Sequence, residues 1–205
     1  MKSSLLISAL VLLNATSCDA QKKLDVNYQL RGYIYASSSL PDTEALGGYA
    51  SSGNLPKLLH PDIEKIKNQL FLKIDTSIVT TFAKEFVGYK LFIGNTTDSV
   101  VMLSASDSRL SVIAEALVGN EWKEIEYLPS SWCGNSYHKV YLSPQQYWEF
   151  NVPQYHGKTK TKIRYRLAVG TGYIYSNEVY GSFNMKQLTE KQGHSQNGLM
   201  DPYNN

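Results

Sequence analysis

Lys158-Thr159-Lys160-Thr161-Lys162-Ile163-Arg164-Tyr165-Arg166-Leu167 alternates from end to end. Successive side chains of a β-strand point to opposite faces. Period two therefore puts Lys158, Lys160, Lys162, Arg164 and Arg166 on one face, with Thr161, Ile163, Tyr165 and Leu167 on the other. This is a strand with a wet cationic side and an apolar side, the pattern of a sheet half-buried against a core.

The texture continues on both sides of it. Leu70–Ile74, Tyr89–Ile93, Val100–Leu103, Leu110–Val118, Trp122–Tyr127, Lys139–Leu142, Tyr147–Val152 and Tyr173–Phe183 read as further strands. Gly94-Asn95-Thr96-Thr97-Asp98, Gly119-Asn120, Pro129, Ser143-Pro144 and Pro153 supply the turns between them. Short strands at this spacing, with little helix, predict an all-β antiparallel sandwich or barrel. Leu24–Leu30 alternates and predicts an N-terminal strand. Ser37–Leu59 is rich in Ser, Gly and Pro and reads as a long loop that also serves as a spacer. Pro61, with Asp62 and Glu64 in the first turn and Ile63, Ile66 and Leu70 at helical spacing, predicts a short helix. The domain reading is residues 1–17 as leader, 18–68 as N-terminal strand, loop and helix, 69–185 as sandwich, and 186–205 as a polar, frayed tail.

Composition supports a globular chain: 205 residues, 42% hydrophobic and 19% charged. Fifteen tyrosines against six phenylalanines suit strands with one solvated face. A net charge of +2 is too mild for a nucleic-acid partner, and none is expected. The histidines at 60, 138, 156 and 194 are scattered, so neither a metal nor a cofactor is expected.

Met1-Lys2, the apolar run Leu5–Leu13 and the small residues up to Cys18 have the layout of a secretory signal peptide. The run is shorter than the roughly 20 apolar residues a spanning helix needs. Ala15-Thr16-Ser17-Cys18 resembles the lipobox of bacterial envelope lipoproteins, with Ala15 where leucine is usual. The resemblance implies lipidation of Cys18 and a membrane-anchored protein of the cell envelope. Cleavage after Ala20 is the alternative and would release a secreted protein. The stretch from about Gln69 to Asn184 resembles an immunoglobulin-like sandwich, without the paired intersheet cysteines of antibody domains.

Three functions remain open. The first is a non-enzymatic binding protein, of inhibitor or immunity type for instance, with a protein partner. Its candidate surface is Lys158, Lys160, Lys162, Arg164 and Arg166, with Trp132 and Trp148. A plainer reading of the cationic stripe is a solvated face whose charge is offset by acids such as Glu149 and Glu178, and this reading is preferred. The second is a glycan-binding module using Tyr33, Tyr35, Tyr147, Trp148, Tyr173 and Tyr175, although alternating aromatics are more often core. The third is a small hydrolase using Cys133 and His138 or a carboxylate pair. Glu124 and Glu126 would lie about 7 Å apart on one strand face, a spacing equally ordinary for a solvated face. Non-enzymatic function is expected.

Overall fold

A computed structural model describes residues 22–59, 67–130 and 134–192. Its first strands are short: β1 (Leu24–Asp25), β2 (Leu30–Arg31) and β3 (Lys57–Leu58). Then come the long hairpin β4 (Leu70–Phe82) and β5 (Phe86–Asn95), followed by β6 (Val101–Ser106), β7 (Arg109–Leu110) and β8 (Val112–Val118). β9 (Glu121–Glu124), β10 (Glu126–Tyr127), β11 (Tyr137–Leu142), β12 (Gln146–Pro153) and β13 (Tyr155–His156) lead to β14 (Thr159–Val169). β15 (Gly172–Tyr175) and β16 (Val179–Phe183) complete the strands.

Two antiparallel sheets carry the fold. One has the order β3-β12-β5-β4; the other runs β15-β14-β8-β9, with β16 also on β14. β11-β6-β7 forms a third, smaller sheet. The chain is an all-β antiparallel sandwich.

The inward side chains follow the alternation. Ile163, Tyr165 and Leu167 of β14 and Val112, Ala114 and Ala116 of β8 are buried. They pack in one cluster with Leu72 and Ile74 of β4, Leu91 and Ile93 of β5, and Trp148, Phe150 and Val152 of β12. The predicted turn at Gly94–Asp98 is organised by the fully buried Asn95. Its Nδ2 donates to the carbonyls of Ser99 and Leu142 at 2.8 and 2.9 Å, while its Oδ1 accepts from Thr97.

Four expectations about the chain ends are corrected. Leu24, Leu30, Ile34 and Ala36 belong to the same core cluster as Trp148, so residue 69 is no domain boundary. The predicted strand at Leu24–Leu30 is two short parallel pairings, β1 on β13 and β2 on β10, separated by a bend. The Ser/Gly-rich stretch is laced to the sandwich rather than acting as a spacer. Ala50 N–H donates to Asp107 Oδ1, Lys139 N–H to Asp42 Oδ2, and Asn54 Nδ2 to the Tyr35 carbonyl. The polar tail starts later than expected, because Gln187 is fully buried and Tyr127 Oη donates to the Gln192 carbonyl at 2.8 Å. The predicted helix at Pro61 and the leader with Cys18 lie outside the described residues.

Candidate binding face and buried carboxylate

The cationic strand presents its charges outward, but few of them are free. Antiparallel register sets Arg164 opposite Glu115, and Glu115 opposite Glu124. Paired residues share a face, so the arginines and acids lie together on the outer surface of the β15-β14-β8-β9 sheet. Glu115 is buried beneath this layer and takes both guanidinium groups, Arg164 Nε at 2.8 Å and Arg166 Nη1 at 2.9 Å. Arg166 Nη2 also reaches Glu124 at 2.7 Å. Lys162 pairs with Glu178 at 2.7 Å, which raises the ammonium pKa chiefly through that bond. Lys158 and Lys160 are exposed. Offset by Glu178 is therefore borne out. Glu149 is a correction: it lies on the other sheet, between Lys57 and Lys90, and those lysines hold its carboxyl below the usual range.

Aromatic rings interleave with the arginines. The Arg164 guanidinium carbon lies 4.1 Å from the centroid of Trp122 and 3.9 Å from that of Tyr175. Arg166 covers Tyr173 at 4.4 Å. Tyr180, opposite Lys162 on β16, is 85% exposed. A guanidinium stacks readily on an aromatic face while its edge donors remain available to carboxylates. The result is a ladder of alternating planes, Trp122, Arg164, Tyr175 and then Arg166 with Tyr173, pinned from below by Glu115.

Comparison with known proteins gives no match: no family model, curated protein or solved structure is similar to this chain. The candidate site therefore rests on its own geometry.

The two tryptophans proposed for the surface divide. Trp148 is removed from it, because it is fully buried and its Nε1–H donates to the Ser37 carbonyl at 2.9 Å. Its strand alternates, and the core takes Trp148, Phe150 and Val152 while Tyr147, Glu149 and Asn151 face outward. Trp132 and Cys133 lie outside the described residues. Tyr33 also leaves the aromatic platform, since its hydroxyl bonds inward; Tyr147 packs at 5.8 Å from Phe92.

Glu124 and Glu126 do not share a face. Glu124 is exposed, Ile125 is fully buried, and the chain then changes partners to run beside β2, leaving Glu126 inside the core. There its carboxylate accepts from Tyr33 Oη at 2.7 Å, Tyr155 Oη at 2.5 Å and the Ala114 amide at 2.9 Å. Tyr165 Oη joins Tyr33 Oη at 3.1 Å. Burial pushes the Glu126 carboxyl up to about 7 against the pull of those donors. It also raises all three phenols well above their usual value, with the Glu126 charge adding to the effect. The cluster is enclosed, so it is a structural network and not a catalytic pair facing solvent.

His138 is committed as well. Its Nε2 accepts from the Ser108 amide at 2.9 Å, Nδ1 faces the Lys139 carbonyl at 3.2 Å, and Tyr49 stacks on the ring at 3.7 Å. A general base needs a free nitrogen lone pair, and this geometry leaves none. No group of three or more metal-ligating side chains occurs among the described residues. The alternation did not single out Glu115 and Trp122. The available signal for Glu115 was an acid inside the apolar run Ile113-Ala114-Glu115-Ala116-Leu117.

Proposed function

We propose that the chain is an exported, lipid-anchored, non-enzymatic protein of the cell envelope. It engages a protein partner through the outer face of the β15-β14-β8-β9 sheet, and an inhibitor or immunity-type role is the concrete form of this reading. The observation that carries it is the guanidinium–aromatic ladder. Tyr, Trp and Arg are the residue types that concentrate binding energy at protein interfaces. Here they are pre-ordered by Glu115 and by one another, which lowers the entropy cost of docking. The flanking lysines at 158 and 160 favour an acidic rim on the partner.

The same ladder weighs against the glycan alternative. A sugar-stacking platform needs ring faces open to solvent, whereas a guanidinium covers one face each of Trp122, Tyr175 and Tyr173. The test is capture of envelope proteins by wild type and by a Tyr173→Ala/Tyr175→Ala/Tyr180→Ala variant, with a glycan array read in parallel. A discrete partner lost in the variant supports the reading. Glycan binding with no such partner defeats it.

A further inference from the structure

Arg109 of β7 is the one buried cation among the described residues, with only 8% of its surface exposed. Elsewhere the fold sets a carboxylate beside its half-buried cations: Glu115 for Arg164 and Arg166, Glu149 for Lys90, and Glu178 for Lys162. Arg109 makes no ion pair with any described carboxylate. Its one hydrogen-bond acceptor among the described residues is the Pro129 carbonyl, which Nη2 reaches at 3.1 Å. A guanidinium carries five N–H donors, and burying a charge without a counter-charge is costly. The chain nonetheless makes room for it. Gly32 lies against the Arg109 stem, where an added Cβ would come within 3.1 Å of Arg109 Cδ.

Arg109 lines an open pocket of about 470 Å3 together with Arg31, Tyr35, Asp107 and Asn135. Tyr35 stands opposite Arg109 in antiparallel register and is 39% exposed. Asp107 is the acid of these walls. Its Oδ1 accepts from Ala50 N–H at 3.0 Å, and it forms an ion pair with neither arginine. Two guanidinium groups against one carboxylate leave a single positive charge to be met.

We propose that this pocket binds the carboxylate group of a ligand, held by Arg109 and Arg31. The planar fork of a guanidinium matches a carboxylate through two parallel N–H···O bonds. A carboxylate brings the one negative charge that the walls leave unmet, whereas a phosphate dianion would exceed it beside Asp107. The half-exposed ring of Tyr35 offers an apolar wall for the carbon skeleton that carries the carboxylate. The pocket involves β2, β7 and the Ser/Gly-rich stretch, not the outer face of the β15-β14-β8-β9 sheet, so the inference does not depend on the ladder.

The test follows the arginine Nε–H signals of the mature protein by nitrogen–proton correlation NMR, at fixed ionic strength in sodium chloride. The probes are acetyl-Ala-Ala with a free C-terminal carboxylate, acetyl-Glu amide, acetyl-Ala-Ala amide and inorganic phosphate. The expected result is a saturable shift of the Arg109 and Arg31 signals with the two carboxylates and none with the amide lacking a carboxylate. The tighter of the two carboxylates shows whether a chain end or an acidic side chain supplies the group. Affinity should fall at least tenfold in Arg109→Gln and in Arg31→Gln; the second variant keeps the buried arginine and remains informative if the first does not fold. No saturable shift with either carboxylate overturns the proposal, including where Arg109 serves only to hold the Pro129 carbonyl. Equal binding of the carboxylate-free amide, or tighter binding of phosphate, also overturns it.

Discussion

Replacing Glu126 by glutamine should erase a specific part of the pH dependence of stability. The carboxyl titrates near 4.5 in an unfolded chain and is pushed up to about 7 inside the sandwich. A raised folded value means that the native state binds the proton more tightly. Its stabilising contribution is full below about pH 4.5 and is lost as pH rises through about 7. The displacement corresponds to about 3 kcal/mol at 1.36 kcal/mol per pH unit. Glutamine is nearly isosteric and does not ionise. With its carbonyl toward the Ala114 amide, its NH2 faces two phenol oxygens, which can accept. The assay is urea unfolding followed by the fluorescence of the buried Trp148, at intervals from pH 4.5 to 8.5. The wild type minus Glu126→Gln difference cancels the other titrating groups. It should fall by about 3 kcal/mol across this window, leaving the variant the more stable protein above pH 7 relative to its standing at pH 5. Parallel curves would refute the placement of an ionisable carboxyl in the core.

Three further outcomes follow from the same contacts. Arg164→Lys keeps the charge but loses the planar stack between Trp122 and Tyr175, and should cost about 1–2 kcal/mol; a double-mutant cycle with Glu115→Gln that shows no coupling would count against the ladder. Gly157→Ala would place a Cβ 2.3 Å from the Phe183 carbonyl carbon, a backbone clash expected to cost about 2–3 kcal/mol in thermal melts; an unchanged melting temperature would rule out that close approach. Alkyne-palmitate labelling should mark the wild type and not Cys18→Ser, and equal labelling, or a mature N-terminus at Gln21, would end the lipoprotein reading.

Much of the sandwich was legible because alternation is a local signal. Ile163, Tyr165 and Leu167 went inward as period two requires, and Trp148 follows the same rule with Phe150 and Val152. Glu126 was misread because the strand breaks at Ile125, and a change of partner shifts the phase without a mark in the sequence. The Ser37–Leu59 segment looked like a spacer because its anchors, Asp107, Lys139 and Glu149, are distant in sequence and follow no period. The ladder was half visible: the cations were read from the alternation, while Glu115, Trp122 and the tyrosines of β15 joined them only through cross-strand register.

The central claim, that the outer face of the β15-β14-β8-β9 sheet is a protein-binding surface, is tested most directly by site-specific photo-crosslinking in cells that make the protein. A benzophenone amino acid at position 180 should yield one discrete crosslinked protein, and the same group at Asn151, on the outer face of the opposite sheet, should not. Equal products from both positions, or none from position 180, would contradict the account.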